Sequence, residues 1–188
     1  MKQSFRWDRA LWAILLLGGV GGIAFAYHTY MYPFCDRGCT LRCMHGALLA
    51  FAARHYGFFP SSKTGAFDAL QKLYPEYMPS GRELAGISGD VRGLTNALFN
   101  KSPINESLTS WVYIQGLRES DDPQVAVLWE RRPGLDSSGR RNFSGARAVV
   151  LISGEITNVS LADWPSFTNR QEKLLHNTDM YRAARGTL

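Results

Sequence analysis

The chain has 188 residues, of which 45% are hydrophobic and 20% are charged, and its formal net charge is +5 at neutral pH. This balance excludes an intrinsically disordered protein, because disordered chains have too few apolar residues to form a core. Beyond roughly the first 30 residues the chain is long enough for one domain with its own hydrophobic core.

The first predicted element is a helix within residues 10–35, a segment without a charged side chain. A bilayer core is crossed by roughly 20 mostly apolar helical residues, and this segment supplies them. Positive charge on a short leading flank favours a cytoplasmic N-terminus. The flanking charges are Lys2, Arg6 and Arg9, opposed by Asp8. We therefore predict a single-pass protein of the cytoplasmic (inner) membrane, with a basic cytoplasmic flank at 1–9, an anchor at 10–32 and a domain outside the cytoplasm at 33–188.

The same segment also fits a cleaved signal peptide. A basic region and an apolar stretch precede Ala24-Phe25-Ala26, which has the small-x-small pattern of a cleavage site. Cleavage there would leave a soluble periplasmic binding protein that starts at Tyr27. Against cleavage, the uncharged segment continues through an aromatic cluster at 27–32 that suits a membrane interface.

All three cysteines lie close together, at Cys35, Cys39 and Cys43. Residues four apart share one face of a helix, so this spacing would place three thiols in a row. In an exported chain two of them would pair in a disulfide and leave one thiol over. A metal or cluster site, with His45 as a further ligand, and acylation beside the membrane are the alternatives. The spacing thus leaves open a thiol-dependent redox or metal-binding module.

The remaining elements follow in chain order. Apolar residues at helical spacing predict helices, and alternation with period two predicts strands. The predicted helices are 40–56, 65–78, 91–99 and 161–176, the last with Asp163 as cap and Pro165 in its first turn. The predicted strands are 110–115, 125–130, 147–152 and 155–159, with Ser153-Gly154 as a hairpin turn. Helices followed by an antiparallel meander make an α+β fold, with the helix at 40–56 packed on the sheet.

The connection between the second and third strands is strongly basic. Its arginines are Arg131, Arg132, Arg140, Arg141 and Arg147, opposed only by Asp136. Glycines and a proline in the same segment predict a flexible, solvated loop. Anionic lipid headgroups and an acidic partner subunit are the two partners that suit its charge. Nucleic acid is not expected, because aromatic residues are not interleaved with the arginines for base stacking.

No constellation of catalytic residues emerges, and we predict a non-enzymatic protein without a cofactor or a bound metal. His45 and His55 are three helical turns apart, too far to bind one metal together. Asp136 offers one carboxylate inside an arginine-rich loop, which argues against a calcium site. The aromatic residues Trp111, Tyr113 and Trp129 are predicted to form one cross-strand cluster in the core, with a binding groove as the alternative.

This order of elements resembles bacterial type IV pilin-like proteins, in particular the major pseudopilins of type II secretion. The motif that closes their long helix is similar to Leu49, Ala53, Tyr56, Gly57, Phe59 and Pro60. The segment 147–159 is similar to the hairpin near the end of such domains. The resemblance implies a membrane-anchored structural or interaction subunit of an envelope or secretion assembly, with the bilayer and other subunits of that assembly as its partners.

The chain departs from the pilin pattern at its N-terminus. Pilins have a leader that ends in glycine and, just after it, a glutamate that guides assembly, whereas no glutamate lies near the start of this apolar segment. Pro33 and the cysteine segment also interrupt what would be one continuous helix. The resemblance therefore extends to the fold and the anchored role, and it does not extend to leader processing or to assembly into a filament.

Overall fold

The computed structural model describes residues 7–33 and 40–178. The chain divides into two compact units, Met1–Pro33 and Phe34–Leu188. The first contains helix α1, Trp7–Met31. Its segment Ile14–Met31 is long and apolar enough to cross a membrane, by length and composition alone. Large apolar side chains of α1 are exposed, such as Leu17 at 74%.

The second unit opens with four helical segments. They are α2 (Thr40–Arg54), α3 (Ala66–Gln71), a 3-10 helix (Arg82–Ala85) and α4 (Val91–Phe99). The predicted helices at 40–56 and 91–99 are confirmed, and α4 begins where Asp90 accepts a hydrogen bond from the backbone N–H of Gly93. The prediction that the next helix runs to residue 78 is wrong. The chain leaves the helix after Gln71 and turns through Pro75, a residue that restricts the helical conformation of the one before it.

The four predicted strands form a single antiparallel sheet. They are β1 (Trp111–Tyr113), β2 (Ala126–Glu130), β3 (Arg147–Leu151) and β4 (Ile156–Val159), and each pairs with the next in the order β1-β2-β3-β4. The register between β2 and β3 shifts between Ala126 and Leu128, which marks a β-bulge. The chain ends, within its described part, in α5 (Trp164–His176). The unit is thus an α+β fold, as predicted.

The sheet is covered on both faces. The main core lies between one face and helices α2 to α4, and its side chains include the fully buried Leu48, Leu94 and Trp111. The second face carries a smaller apolar cluster that contains Val149 and Phe167 and is covered by α5. Because β3 contributes Val149 to one core and Val150 to the other, this strand is buried on both faces.

Helix α2 meets the sheet near the β3–β4 turn. His45 Nε2 lies 3.1 Å from the carbonyl oxygen of Ile152. Gly154 in that turn has φ +82°, and a Cβ at this position would lie 2.7 Å from the His45 ring. Glycine is therefore required here both by its backbone conformation and by the imidazole packed against it.

One prediction about the core is wrong. Trp111 and Tyr113 point into the main core, as expected, but Trp129 pairs across the ladder with Val112 and so lies on the opposite face. The physical reason is the period of a strand, which places alternate residues on opposite faces. Trp129 packs instead against Trp164 of α5, with 6.2 Å between ring centroids.

Candidate functional site: the basic loop at one end of the sheet

The basic loop, residues 131–146, projects from one end of the sheet because it joins two antiparallel strands. It leaves β2 after Glu130 and enters β3 at Arg147. The connection from β4 to α5, residues 160–163, lies at the same end, and Leu161 N donates to Ser144 O at 3.3 Å. Two neighbouring loops therefore form this end of the domain.

The basic loop is folded by its own hydrogen bonds. Gly134 N donates to Ala146 O and Asn142 N donates to Gly134 O, so the two arms of the loop are tied together. Asp136 Oδ1 accepts from the backbone N–H groups of Ser138 and Arg140, at 2.9 and 3.0 Å. The Asp136 carboxylate thus serves an Asx-type turn, which short acidic side chains favour. The sequence predicted a flexible loop, and the structure shows a hydrogen-bonded one.

A buried carboxylate holds the base of the basic loop. Glu130, the last residue of β2, is completely buried. Its carboxylate accepts hydrogen bonds from Ser88 Oγ at 2.7 Å, Ser110 Oγ at 2.8 Å and Ile87 N at 3.0 Å. Arg132 N donates to it at 3.4 Å. Glu130 therefore joins three segments: the one between the 3-10 helix and α4, the start of β1 and the start of the basic loop.

Burial raises the pKa of Glu130 above its ordinary value, although each of its hydrogen bonds acts in the opposite direction. The cause is the loss of water around a charged carboxylate, which these neutral donors offset only in part. The hydrogen-bond donors to Glu130 described above are all neutral, and such a buried acid is suited to holding chain segments together. It does not have the exposed approach that a catalytic acid requires.

The five predicted arginines do not act as one set. Arg131 forms an ion pair with Glu106 at 2.6 Å and lies over the ring of Phe67. Arg147 points to the α5 side of the sheet and stacks on Trp164, with its Cζ 4.5 Å from the ring centroid. Both belong to the packing of the domain. The remaining three, Arg132, Arg140 and Arg141, are exposed.

The second face of the sheet contains a small apolar cavity beside α5. Its volume is about 200 Å³, and its lining includes Trp129, Trp164 and Phe167. Gln171 closes one side: its side-chain oxygen accepts from Ala126 N at 2.8 Å, and its amide donates to Gln124 O at 3.0 Å. These bonds satisfy backbone groups at the β-bulge, where the ladder is interrupted.

The thiol and histidine predictions have different outcomes. Cys35 and Cys39 lie outside the described residues, and Cys43 is an exposed residue of α2. The pairing of the thiols therefore stays a prediction. His45 contacts Ile152, as described above, and His55 stacks on Phe51 with 3.7 Å between ring centroids. Among the described residues no three His, Cys, Asp or Glu side chains are grouped to hold a metal ion.

The buried Glu130 and Gln171 were not identified as important from the sequence. The signal for Glu130 is weak but visible, since a lone acid stands at the inward-facing position that follows Trp129 in a predicted strand.

Comparison of this chain with known protein families, with characterised proteins and with solved structures yields no match.

Proposed function

We propose that this chain is a non-enzymatic, membrane-anchored structural or interaction subunit of a bacterial envelope or secretion assembly, similar to the pilin-like proteins. Helix α1 is its single anchor in the cytoplasmic membrane, with the domain at 33–188 outside the cytoplasm. The basic loop is its contact surface for an anionic partner. The observation that carries the proposal is the combination of α1, which suits a membrane span, with a separate α+β unit.

Further support comes from the order and contacts of the elements. A helix that ends near Tyr56 and Gly57, both with positive φ, is followed by an antiparallel meander. Phe59 and Pro60 are buried, and the hydroxyl of Tyr113 donates to Pro60 O at 2.7 Å, which fixes the chain after α2 on the sheet. The segment that resembles the pilin motif therefore has a packing role in this domain.

The first test is the N-terminus of the protein recovered from carbonate-washed membranes, measured by intact mass. A start at Met1 or Lys2 is expected, because a retained α1 resists extraction. A start at Tyr27 would contradict the anchored role and would favour a soluble periplasmic binding protein. The same sample, titrated for thiols and metal, tests the redox or metal-binding alternative at Cys35, Cys39 and Cys43, which stoichiometric metal would favour.

The second test is covalent cross-linking of the full chain in intact cells. An assembly subunit is expected to give discrete adducts with itself or with another envelope protein. Cross-linking that shows only monomer would overturn the assembly role.

A further inference from the structure

We infer that the end of the domain formed by the basic loop docks on the surface of an anionic lipid bilayer. This inference rests on the proposed function, since it names the anionic partner of the same loop. The side chains that would enter the interface are Phe143 and Leu161. The exposed Arg132, Arg140 and Arg141 would bind the lipid phosphates.

Two large apolar side chains are exposed at this end of the domain. Phe143 is 82% exposed and Leu161 is 59% exposed. Their loops are adjacent, because Leu161 N donates to Ser144 O and a Cβ on Gly145 would lie 3.3 Å from Leu161 Cβ. The apolar residues are thus carried by two loops that are hydrogen-bonded to each other.

Three acidic residues lie near this end of the domain. Glu106 forms its ion pair with Arg131, and the Asp136 carboxylate accepts hydrogen bonds within the basic loop. Asp163 Oδ2 accepts from Ser160 Oγ at 2.6 Å. Asp163 occupies the predicted cap position of α5, and its side chain bonds Ser160 and not a backbone N–H group of the helix. An anionic partner would meet a surface on which the exposed arginines outnumber the carboxylates.

A bilayer fits this combination better than an acidic protein does. Phenylalanine and leucine side chains insert at the boundary between headgroups and acyl chains, and arginine side chains reach from there to the phosphates. Anionic lipid attracts basic residues within about a Debye length of the surface. An acidic protein would need to supply a pocket for Phe143 as well as charge.

The test uses the full chain reconstituted in lipid nanodiscs with one chain per disc, so that a second copy is absent. One set of discs contains phosphatidylcholine alone, and the other an equal mixture with phosphatidylglycerol. The readout is amide hydrogen exchange of the peptide that covers residues 137–146. The internal reference is the peptide at 116–124, which joins β1 to β2 at the opposite end of the sheet.

Docking predicts exchange several-fold slower at 137–146 in the anionic discs than in the neutral ones, with the reference peptide unchanged. Each basic residue near the surface contributes about fivefold to binding, so Arg140→Gln with Arg141→Gln should weaken docking by about 30-fold and return the peptide to its rate in neutral discs. The matched control is Lys63→Gln with Lys173→Gln. Both control lysines are exposed. Each is close in sequence to a residue that bonds the opposite end of the sheet: Ser62 bonds Gln115, and Gln171 bonds Ala126.

Phe143→Ser is the second variant, because a side chain that is 82% exposed can be removed without opening the core. It should also speed exchange at 137–146 in the anionic discs. Equal exchange in the two lipids would overturn the inference. Slowing that appears only with two chains per disc would also overturn it and would assign the surface to a protein contact. Failure here leaves the cross-linking result untouched, so the two proposals fail separately.

Discussion

Replacing Glu130 with alanine should destabilise the domain by about 3 kcal/mol, because it removes the acceptor of three close hydrogen bonds. A buried donor left without a partner costs about 1–3 kcal/mol. The hydroxyl of Ser110 has another acceptor, the Ala85 carbonyl at 3.3 Å, so its share is the smallest. Release of a poorly solvated carboxylate offsets part of the total.

Glu130→Gln should cost less, about 1 kcal/mol, because its amide oxygen still accepts from Ile87 N while its NH₂ group donates to a serine hydroxyl. The assay is thermal unfolding of the full chain in detergent, followed by tryptophan fluorescence, where 3 kcal/mol corresponds to about 6–12 °C. Glu155→Ala, at an exposed turn, is the control and should leave the midpoint unchanged. If alanine and glutamine at position 130 both unfold at the wild-type temperature, the carboxylate does not hold the base of the loop.

The same residue predicts a pH dependence. Because burial raises the pKa of Glu130, the folded state binds the proton of this carboxyl group more tightly than the unfolded state does. The stabilisation from this proton is therefore complete below the pKa of the unfolded state and is lost as the pH rises through the pKa of the folded state. The free energy of unfolding of the wild type, relative to that of Glu130→Gln, should fall over that pH range. A difference between the two proteins that stays constant with pH would contradict this. Gly154→Ala should cost about 1–3 kcal/mol in thermal unfolding. Adding His45→Ala should recover only the steric part; full recovery would mean that the positive φ carries no cost. Gln171→Ala leaves the Ala126 N–H without its acceptor and should cost about 1–3 kcal/mol. Hydrogen exchange at Ala126 should become faster, and an unchanged rate would show that the Gln171 bond does not protect it.

Most of the fold was predictable because the relevant signals are local. Alternating apolar residues mark all four strands, and the structure places each within one or two residues of its predicted bounds. The prediction of a helix at 65–78 failed because apolar residues continue at helical spacing past Gln71, whereas the helix itself ends there. Periodicity reports which side chains are buried, and a compact turn through Pro75 buries Leu73 as well as a helix would.

The candidate site was less predictable because it depends on contacts between distant segments. The sequence identified the arginines of the basic loop but not their separate roles, since Arg131 meets Glu106 and Arg147 meets Trp164 only after the sheet has formed. The junction at Glu130 brings together residues 20 to 43 positions away. No spacing rule in a single sequence relates residues that far apart.

The burial of β3 on both faces has a consequence for the order in which the domain matures. The second face is completed by α5, the last described element of the chain, whose Phe167 packs near Val149. Because synthesis runs from the N-terminus, α5 follows every strand of the sheet. Until then, one side of the finished sheet stays apolar and uncovered, and such surfaces are prone to aggregation. The docking of α5 on the sheet is thus the step that covers this apolar face and ends its exposure to misassembly.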